Sequence, residues 1–539
     1  MQRSYPLFTR RNQSRIARHV KNVEFGDQEK LITKKMFQST TKLISKKASG
    51  NQAILTNIQK ACFSRSQAIN TTTNPHMGVV GIETYFPNRY VSQSALEQHD
   101  GVSEGKYTIG LAQSRMAVVD FEREDTVSLA MTAVKRLFEK YSIDPKQVKR
   151  LEVGTESPVD KSKSIKSFIM QQFPEIESSE MEGIDTINAC YGATNAFFNA
   201  LYWLNSEYIT NKKNEVYSVV VAVDIAQYEK GPARPTGGAG AVAMLLGRDA
   251  PLAFNDYKLK AFHMEHAYDF YKPKKNSYFP TVDGQYSNVC YLRSLDICYE
   301  RLKARHEAPV SVADLDYLCF HAPYNKLVQK SFARMVYNDF ALADDATLEV
   351  LFQKYGIKDE ETKKQVKQFA KSAPRDQTYN DNENSKFFVG LTKKIYEQKV
   401  GASTYLPREL GNTYAASLYA GFASLVGLKG QELQDKRINM FSYGSGLASA
   451  MYELQGRETT HKKNRYQLDD IKKILDLPNR LNQRTEVTPE EYSKIMDANM
   501  DIYLNHNFHS TAPMDYIDSG SYYLDKVDDK YRRFYVRKD

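Results

Sequence analysis

The chain has 539 residues, 26% charged and 41% apolar, with 27 glycines and 18 prolines, a globular composition that excludes collagen-like, low-complexity and wholly disordered polymers. Its net charge of +9 is concentrated at the start: residues 1–76 carry 14 Lys and Arg against Glu24, Asp27 and Glu29, a local balance of +11, and the remainder sums to −2. A near-neutral body lacks the sustained basic face that phosphate neutralisation needs, so no nucleic-acid partner is expected.

In chain order, residues 1–76 form a basic N-terminal extension, Arg-rich (Arg3, Arg10, Arg11, Arg15, Arg18), rich in Ser and Thr, and without the apolar centre of a secretory signal. That pattern reads as a mitochondrial transit peptide leading to the matrix. The alternative is a cytoplasmic protein with a solvated tail, or with translation beginning at Met36 or Met77. After Pro75 the run from Gly78 to Pro87 turns β-rich and apolar. Further strands are expected at Leu151–Val153, Asp185–Ile187, Ser218–Val223, Ala241–Leu246, Tyr317–Phe320 and Ile438–Phe441, with helical stretches between them, which defines an α/β fold.

The chain also echoes itself. Asn188–Ala200 resembles Asn412–Ser424, and Gly237–Leu246 resembles Ser442–Met451, in the same order. Two duplicated halves follow, placed at 77–250 and 251–465. A charged segment near 345–400 has helical spacing (Leu348, Leu351, Phe352, Tyr355) and reads as a surface insertion without catalytic residues. Residues 466–539 form a C-terminal extension packed on the core. It closes on the basic run Tyr531–Lys538, which alternates as a half-exposed edge strand does. The uncharged stretch Gly411–Leu428 contains Asn412, Thr413, Ser417 and Ser424, too polar to span a membrane. The five cysteines (Cys62, Cys190, Cys290, Cys298, Cys319) are odd in number and form no C-x-x-C. They encode neither a disulfide framework nor a zinc site, and imply a reducing compartment.

Three residues stand where α/β folds place their chemistry. Cys190 lies between a strand and a small-residue helix, where a helix N-terminus lowers a thiol pKa and raises the thiolate fraction. His321 follows the strand Tyr317–Phe320, and Glu156 ends Leu151–Thr155, with Gly154 allowing close backbone approach. Taken singly, each is equally a buried cysteine, a satisfied histidine or an exposed turn acid.

Together with their surroundings they carry a family resemblance: EVGTE at Glu156, NACYG at Cys190, DIA at Asp224, RPTGG from Arg234, HAYDFYKP from His266, FHAPY around His321 and FSYGSGLA from Phe441. These ordered motifs resemble the 3-hydroxy-3-methylglutaryl-CoA synthase family of the thiolase superfamily, over about residues 78–455 and more weakly to the C-terminus. The resemblance implies a five-layered αβαβα fold, a homodimer, and an acyltransferase of the Claisen type. In it Cys190 accepts acetyl from acetyl-CoA, Glu156 is the general acid/base, and His321 helps hold acetoacetyl-CoA. It implies that Asp224 and Asp269 shape the site, that Ser287, Asn412 and Ser445 contact the acyl ligand, and that Tyr228 and Thr236 belong to the CoA-binding surroundings. Lys326 and Lys330, four apart on one helix face, meet CoA phosphates or are simply solvated. No metal and no permanently bound cofactor is implied; the substrates are CoA thioesters, and the product serves isoprenoid (mevalonate) synthesis or ketogenesis.

The residue types suit that chemistry. A thioester on Cys190 keeps the acetyl methyl acidic, and Glu156 removes a methyl proton and later returns one to the alkoxide. Backbone N–H groups of Cys190 and of the turn Tyr443–Gly446 are the expected oxyanion donors. One departure from the family pattern is Pro232, where an asparagine is usual; proline offers neither amide nor N–H. Two other readings compete: a thiolase-fold condensing enzyme for another β-ketoacyl thioester, and a low-activity structural subunit of a mitochondrial assembly.

Overall fold

The computed structural model describes residues 76–174, 180–206, 215–254, 256–460 and 465–539. Cys62 and all of the basic extension but His76 lie outside them. The first half supplies β1 (Gly78–Tyr85), helix α1 (Thr126–Tyr141), β2 (Val148–Gly154), β3 (Asp185–Thr186), helix α2 (Gly192–Leu204), β4 (Tyr217–Ala226) and β5 (Gly238–Gly247). Strands β1, β4 and β5 are buried along their whole length, which explains why their sequences are continuous apolar runs rather than alternating ones. Helix α1 starts where the Asp125 side chain accepts the N–H groups of Val127 and Ser128, in a capping box with Ser128, satisfying donors the helix cannot pair itself.

After the short β6 (Leu252–Ala253), the second half supplies β7 (Lys260–Met264), helix α3 (Gly284–Lys303), β8 (Tyr317–Phe320) and helix α4 (Asn325–Ala341). Three insertion helices follow, α5 (Asp345–Lys354), α6 (Glu360–Ala370) and α7 (Asn382–Lys399), then α8 (Ser417–Lys429), β9 (Arg437–Gly444) and β10 (Ala448–Gly456).

Strand pairing reveals the duplication. The first half runs β3-β2-β4-β5-β1 and the second β8-β9-β10-β7. In both, the pairing sense repeats: β2 with β4 and β8 with β9 are parallel, whereas β4 with β5, β9 with β10, β5 with β1 and β10 with β7 are antiparallel. Strand β6 pairs with both β1 and β10 and so joins the halves into one sheet. Helix α8 packs on β1 and β5 of one half and on β8 and β9 of the other. Helix α2 packs on β2 and β4 and reaches the second half through Phe197 and Phe198 against Tyr452. With α1 outside the first half and α3 outside the second, the layers are αβαβα, the expected thiolase-type arrangement.

The insertion lies where its charge pattern put it. Its apolar stripe, including Leu348, Phe352, Val366, Phe388 and Tyr396, is buried in one cluster with Phe332 and Phe340 of α4. In the C-terminal extension, helix α9 (Pro489–Leu504) places the Asn499 amide on Phe121 N (2.8 Å) and Val119 O (2.8 Å). Strands β11 (Tyr522–Val527) and β12 (Arg533–Arg537) pair antiparallel. Strand β12 is the half-exposed edge its alternation implied, but its inner face is not merely solvated: Arg533 (3.0 Å) and Tyr535 (2.7 Å) both reach Asp125, the cap of α1.

Two glycines set how closely the layers approach. A Cβ on Gly154 would lie 2.1 Å from Ala193 Cα, and one on Gly444 would lie 2.4 Å from Tyr191 N. The ends of β2 and β9 therefore converge on the turn that opens α2.

Candidate active site

That convergence builds the site. Strand β2 ends at Gly154, and the chain turns through Thr155, Glu156 and Ser157. On neighbouring β4, Asp224 is fully buried. Its Oδ1 accepts from Thr155 Oγ1 (2.7 Å), Glu156 N (2.8 Å), Ser157 N (2.9 Å) and Ser157 Oγ (2.5 Å), and its Oδ2 from Ala415 N (2.9 Å) in the second half. Burial, then the charge of Glu156, pushes the Asp224 carboxyl up to about 7, against the pull of the Ser157 and Thr155 hydrogen bonds. Glu156 is itself buried, 8% exposed. It is not the exposed turn acid that it is when read alone.

Cys190 sits before Tyr191, the N-cap of α2, and after Ala189, whose φ of 41° is strained for a non-glycine residue. Its Sγ donates to Glu156 Oε2 at 3.3 Å. The expectation of a depressed thiol pKa is overturned: burial first, then the Glu156 and Asp224 carboxylates, push the thiol well above its ordinary value, and Lys272 only partly offsets them. A helix end contributes a fraction of a charge, whereas desolvation and two carboxylates act directly on the sulfur. The resting thiol keeps its proton.

The opposite wall is the turn after β9. Asp269 Oδ2 accepts from Tyr443 OH (2.7 Å) and Ser287 Oγ (3.4 Å), and Oδ1 from Gly446 N (2.9 Å). The Gly446 amide is therefore committed to Asp269 and is not a free oxyanion donor; its neighbour in that turn, Ser445, is half-buried at the tip. His321 follows β8, with its N–H on Phe441 O (2.8 Å) and its carbonyl accepting from Tyr291 OH (2.7 Å). The Tyr291 ring lies 6.3 Å from the imidazole and 5.1 Å from the Tyr443 ring, which links His321 to the Asp269 wall. Among the described residues, His321 Nδ1 is buried with no hydrogen-bond partner. Burial lowers the imidazole to about 3, so it is neutral.

Asn412 donates to Tyr228 OH (3.3 Å), accepts from Tyr414 N (2.8 Å), and its own N–H reaches Thr236 O (3.0 Å). The Thr236 hydroxyl is turned inward onto Ala233 O (2.7 Å), and Pro232 is exposed in the same loop. Lys326 and Lys330 occupy the first turns of α4, both half-buried. Among the described residues neither forms an ion pair, and burial and the Lys326 charge lower Lys330. Lys330 borders a cavity of about 430 Å³, which Tyr324 and the insertion residues Thr378, Tyr379, Asp381 and Asn384 also line. The insertion thus walls a cavity beside a proposed CoA lysine. Among the described residues no cluster of His, Cys, Asp and Glu could hold a metal ion.

Sequence reasoning missed Lys272. Its Nζ lies 2.7 Å from Glu156 Oε1 and 3.3 Å from the Glu156 carbonyl. It stood inside a quoted motif, but in KPKK it looks like one of three solvated lysines.

A duplicated αβαβα core with a cysteine at the central helix end and a glutamate on its sulfur defines a thiolase-fold condensing protein. Residues 73–251 match the family described as hydroxymethylglutaryl-coenzyme A synthase N terminal, and residues 253–538 match its C-terminal counterpart. The hydroxymethylglutaryl-CoA synthase of Zymoseptoria tritici is 43% identical over 482 residues, 86% of this chain and 99% of that one. That of Saccharomyces cerevisiae is 41% identical over 496 residues, 89% and 94% of the two chains. The solved structure of MvaS in complex with 3-hydroxy-3-methylglutaryl coenzyme A is similar with a TM-score of 0.68 at 29% identity, covering 86% and 99%. The chain belongs to the hydroxymethylglutaryl-CoA synthase family.

The neutral, buried His321 has a measurable cost. The unfolded imidazole binds a proton below about 6.5 and the folded one only near 3, so this group's stability is complete above 6.5 and is lost as pH falls towards 3. Urea unfolding at pH 7 and pH 5 should show the wild type losing about 2 kcal/mol more than His321→Gln between those values. Equal losses would show that the imidazole is not held neutral.

Proposed function

We propose that this chain condenses acetyl-CoA with acetoacetyl-CoA and water to give 3-hydroxy-3-methylglutaryl-CoA and CoA. The observation that carries the reading is the 3.3 Å contact of Cys190 Sγ with Glu156 Oε2, at the point where two strand ends and a helix start converge. In the first step the sulfur attacks the acetyl-CoA carbonyl. The C–S bond to CoA breaks, and the thiol proton goes to the departing CoA thiolate, so a thiol that is protonated at rest is suitable. In the second, Glu156 takes a methyl proton from the acetyl thioester, and the enolate carbon bonds to the ketone carbon of acetoacetyl-CoA. The alkoxide then recovers the proton from Glu156. Water finally cleaves the Cys190 thioester, releasing a carboxylate and restoring the thiol.

The amides of Cys190 and Ser445 are the proposed donors to the thioester oxygen, with Asp269 fixing the second by holding Gly446 and Tyr443. Neutral His321 suits a hydrogen bond to the acetoacetyl group, because an imidazole without charge both donates and accepts. Asp224 fixes the Glu156 backbone. Ser287, Asn412, Tyr228 and Thr236 surround the acyl chain, and Lys326 and Lys330 meet the CoA phosphates. The product belongs to the mevalonate route to isoprenoids.

A homodimer is proposed from the edge strand β3, which among the described residues pairs only with β2 and is flanked by Ile184 (67% exposed) and Ile187 (60%); a second copy would cover both the strand edge and these side chains. The matrix location rests on the composition of residues 1–76.

Intact-protein mass spectrometry after adding acetyl-CoA tests the chemistry. The wild type should gain one acetyl group that disappears with acetoacetyl-CoA, Cys190→Ala should gain none, and Glu156→Ala should acetylate but not condense. Normal turnover by Cys190→Ala would sink the mechanism. Sedimentation should show a dimer that Ile184→Asp converts to monomer, and an unchanged monomeric wild type would refute the interface. N-terminal sequencing of the native protein should find a segment ending before Met77 removed, whereas an intact start would contradict import.

A further inference from the structure

Glu156 offers two oxygens but only one faces the sulfur. Oε2 accepts from Cys190, whereas Oε1 lies 2.7 Å from Lys272 Nζ, which also reaches the Glu156 carbonyl at 3.3 Å. Lys272 therefore grips the same residue at its backbone and at its side chain. Its ammonium is in turn fixed over the Tyr414 ring at 4.6 Å and beside Phe270 at 5.8 Å, contacts that orient a cation without neutralising it. The lysine follows the two-residue strand Phe270–Tyr271, pinned to Thr281–Val282, one residue pair beyond Asp269. A single short segment thus braces the turn after β9 through Asp269 and the acid/base carboxylate through Lys272.

The surroundings show what the grip prevents. Glu156 and Lys272 line a cavity of about 270 Å³ whose other walls include Lys161, Lys274 and Lys275, all exposed; Cys190 does not line it. A carboxylate released from Lys272 can turn into this solvent-reached space, which Cys190 does not border. The charge balance is equally one-sided. Facing Glu156 are the Asp224 carboxyl from β4, the Cys190 thiol from the turn before α2, and the phenols of Tyr228 and Tyr414. Among the described residues Lys272 is the one cation within ion-pair distance of it.

We propose that Lys272 is a positioning residue for the condensation step: it holds Glu156 Oε1 so that Oε2 stays aimed at the acyl-sulfur. This rests on the synthase reading above. Lys272 neither gives nor takes a proton in the step. Glu156 Oε2 removes the methyl proton, the C–H electron pair becomes the enolate, the new C–C bond forms to the ketone carbon, and the same proton goes to the alkoxide.

The test separates the half-reactions. Full-length wild type, Lys272→Met and Lys272→Arg are first loaded with acetyl-CoA, and single-turnover condensation with acetoacetyl-CoA is then followed across pH. Lys272→Met should acetylate within about threefold of wild type but condense roughly 10- to 100-fold more slowly, part of what a general base contributes. The acid limb of its condensation profile should move up by about one pH unit, because a carboxylate beside Asp224 without its cation takes a proton more readily. Lys272→Arg keeps the charge and should restore both the rate, to within about fivefold, and the midpoint. If wild type turns over and Lys272→Met has an unmoved midpoint, or loses acetylation and condensation together, the role is refuted alone. A wild type that never acquires an acetyl group refutes the synthase reading and this role with it.

Discussion

The site depends on one buried carboxylate. Asp224 is completely enclosed and accepts four hydrogen bonds from the Thr155–Ser157 turn and one from Ala415. A carboxylate taken out of water is costly unless its lone pairs are filled. Here the donors that fill them come from both halves of the chain. The same bonds that make the buried group tolerable fix the backbone of Glu156, and through it the distance from the carboxylate to the Cys190 sulfur. An asparagine at 224 would place an N–H₂ among donors, so the constraint is on charge as well as on shape.

Enclosing this many acids around a thiol has an electrostatic consequence. The thiol is pushed up and the Asp224 carboxyl rises to about 7, so the resting site stores its proton on sulfur rather than exposing a standing thiolate. Nucleophilicity is then drawn on only when an acyl donor arrives and supplies a leaving group that takes the proton. Such an arrangement suits an enzyme whose cysteine must also survive as a carrier of an acyl group, because a permanently ionised thiol is the form that oxidants and stray electrophiles attack. Neutral His321 fits the same economy of charge: among the described residues, an imidazolium at that depth would leave Nδ1 without a partner.

Much of this was legible beforehand. The strands read as apolar runs because both their faces are covered, and Glu156, Cys190 and His321 fell at element ends that the runs themselves mark. The repeat of Asn188–Ala200 in Asn412–Ser424 anticipated helices α2 and α8 in the central layer. What stayed hidden depends on contacts between residues far apart in sequence. Lys272 meets a residue 116 positions earlier, and a lysine in a lysine cluster has no signature of that contact. The hub role of Asp224 relies largely on backbone N–H groups, which every residue has. The thiol was misjudged because a helix end is visible in the sequence, whereas the desolvation and the two carboxylates that outweigh it exist only after folding. The turn Tyr443–Gly446 reads as offering any of its amides, because the pairing that consumes that of Gly446, to Asp269, crosses 177 positions.

Duplication explains why so unlike a set of groups meets at one point. Strands β2 and β8 are equivalent, and the residues just past their ends are Glu156 in one half and His321 in the other. The turns that open α2 and α8 are also equivalent. Each carries a non-glycine residue at positive φ, Ala189 at 41° and Tyr414 at 42°, one position apart in the aligned repeat, where Cys190 matches Tyr414. The two halves therefore present the same two backbone positions, a strand end and a helix-opening turn, to a shared centre, related by the pseudo-symmetry of the fold, and the side chains at those positions have diverged. One half supplies the nucleophile and the acid/base. The other supplies the neutral imidazole, the aromatic wall and the Asn412 amide. A symmetric pair would put two carboxylates or two thiols together, each raising the other's pKa. Divergence lets a base, a thiol and a neutral hydrogen-bonding group share the backbone geometry without that conflict, and condensation requires all three at once.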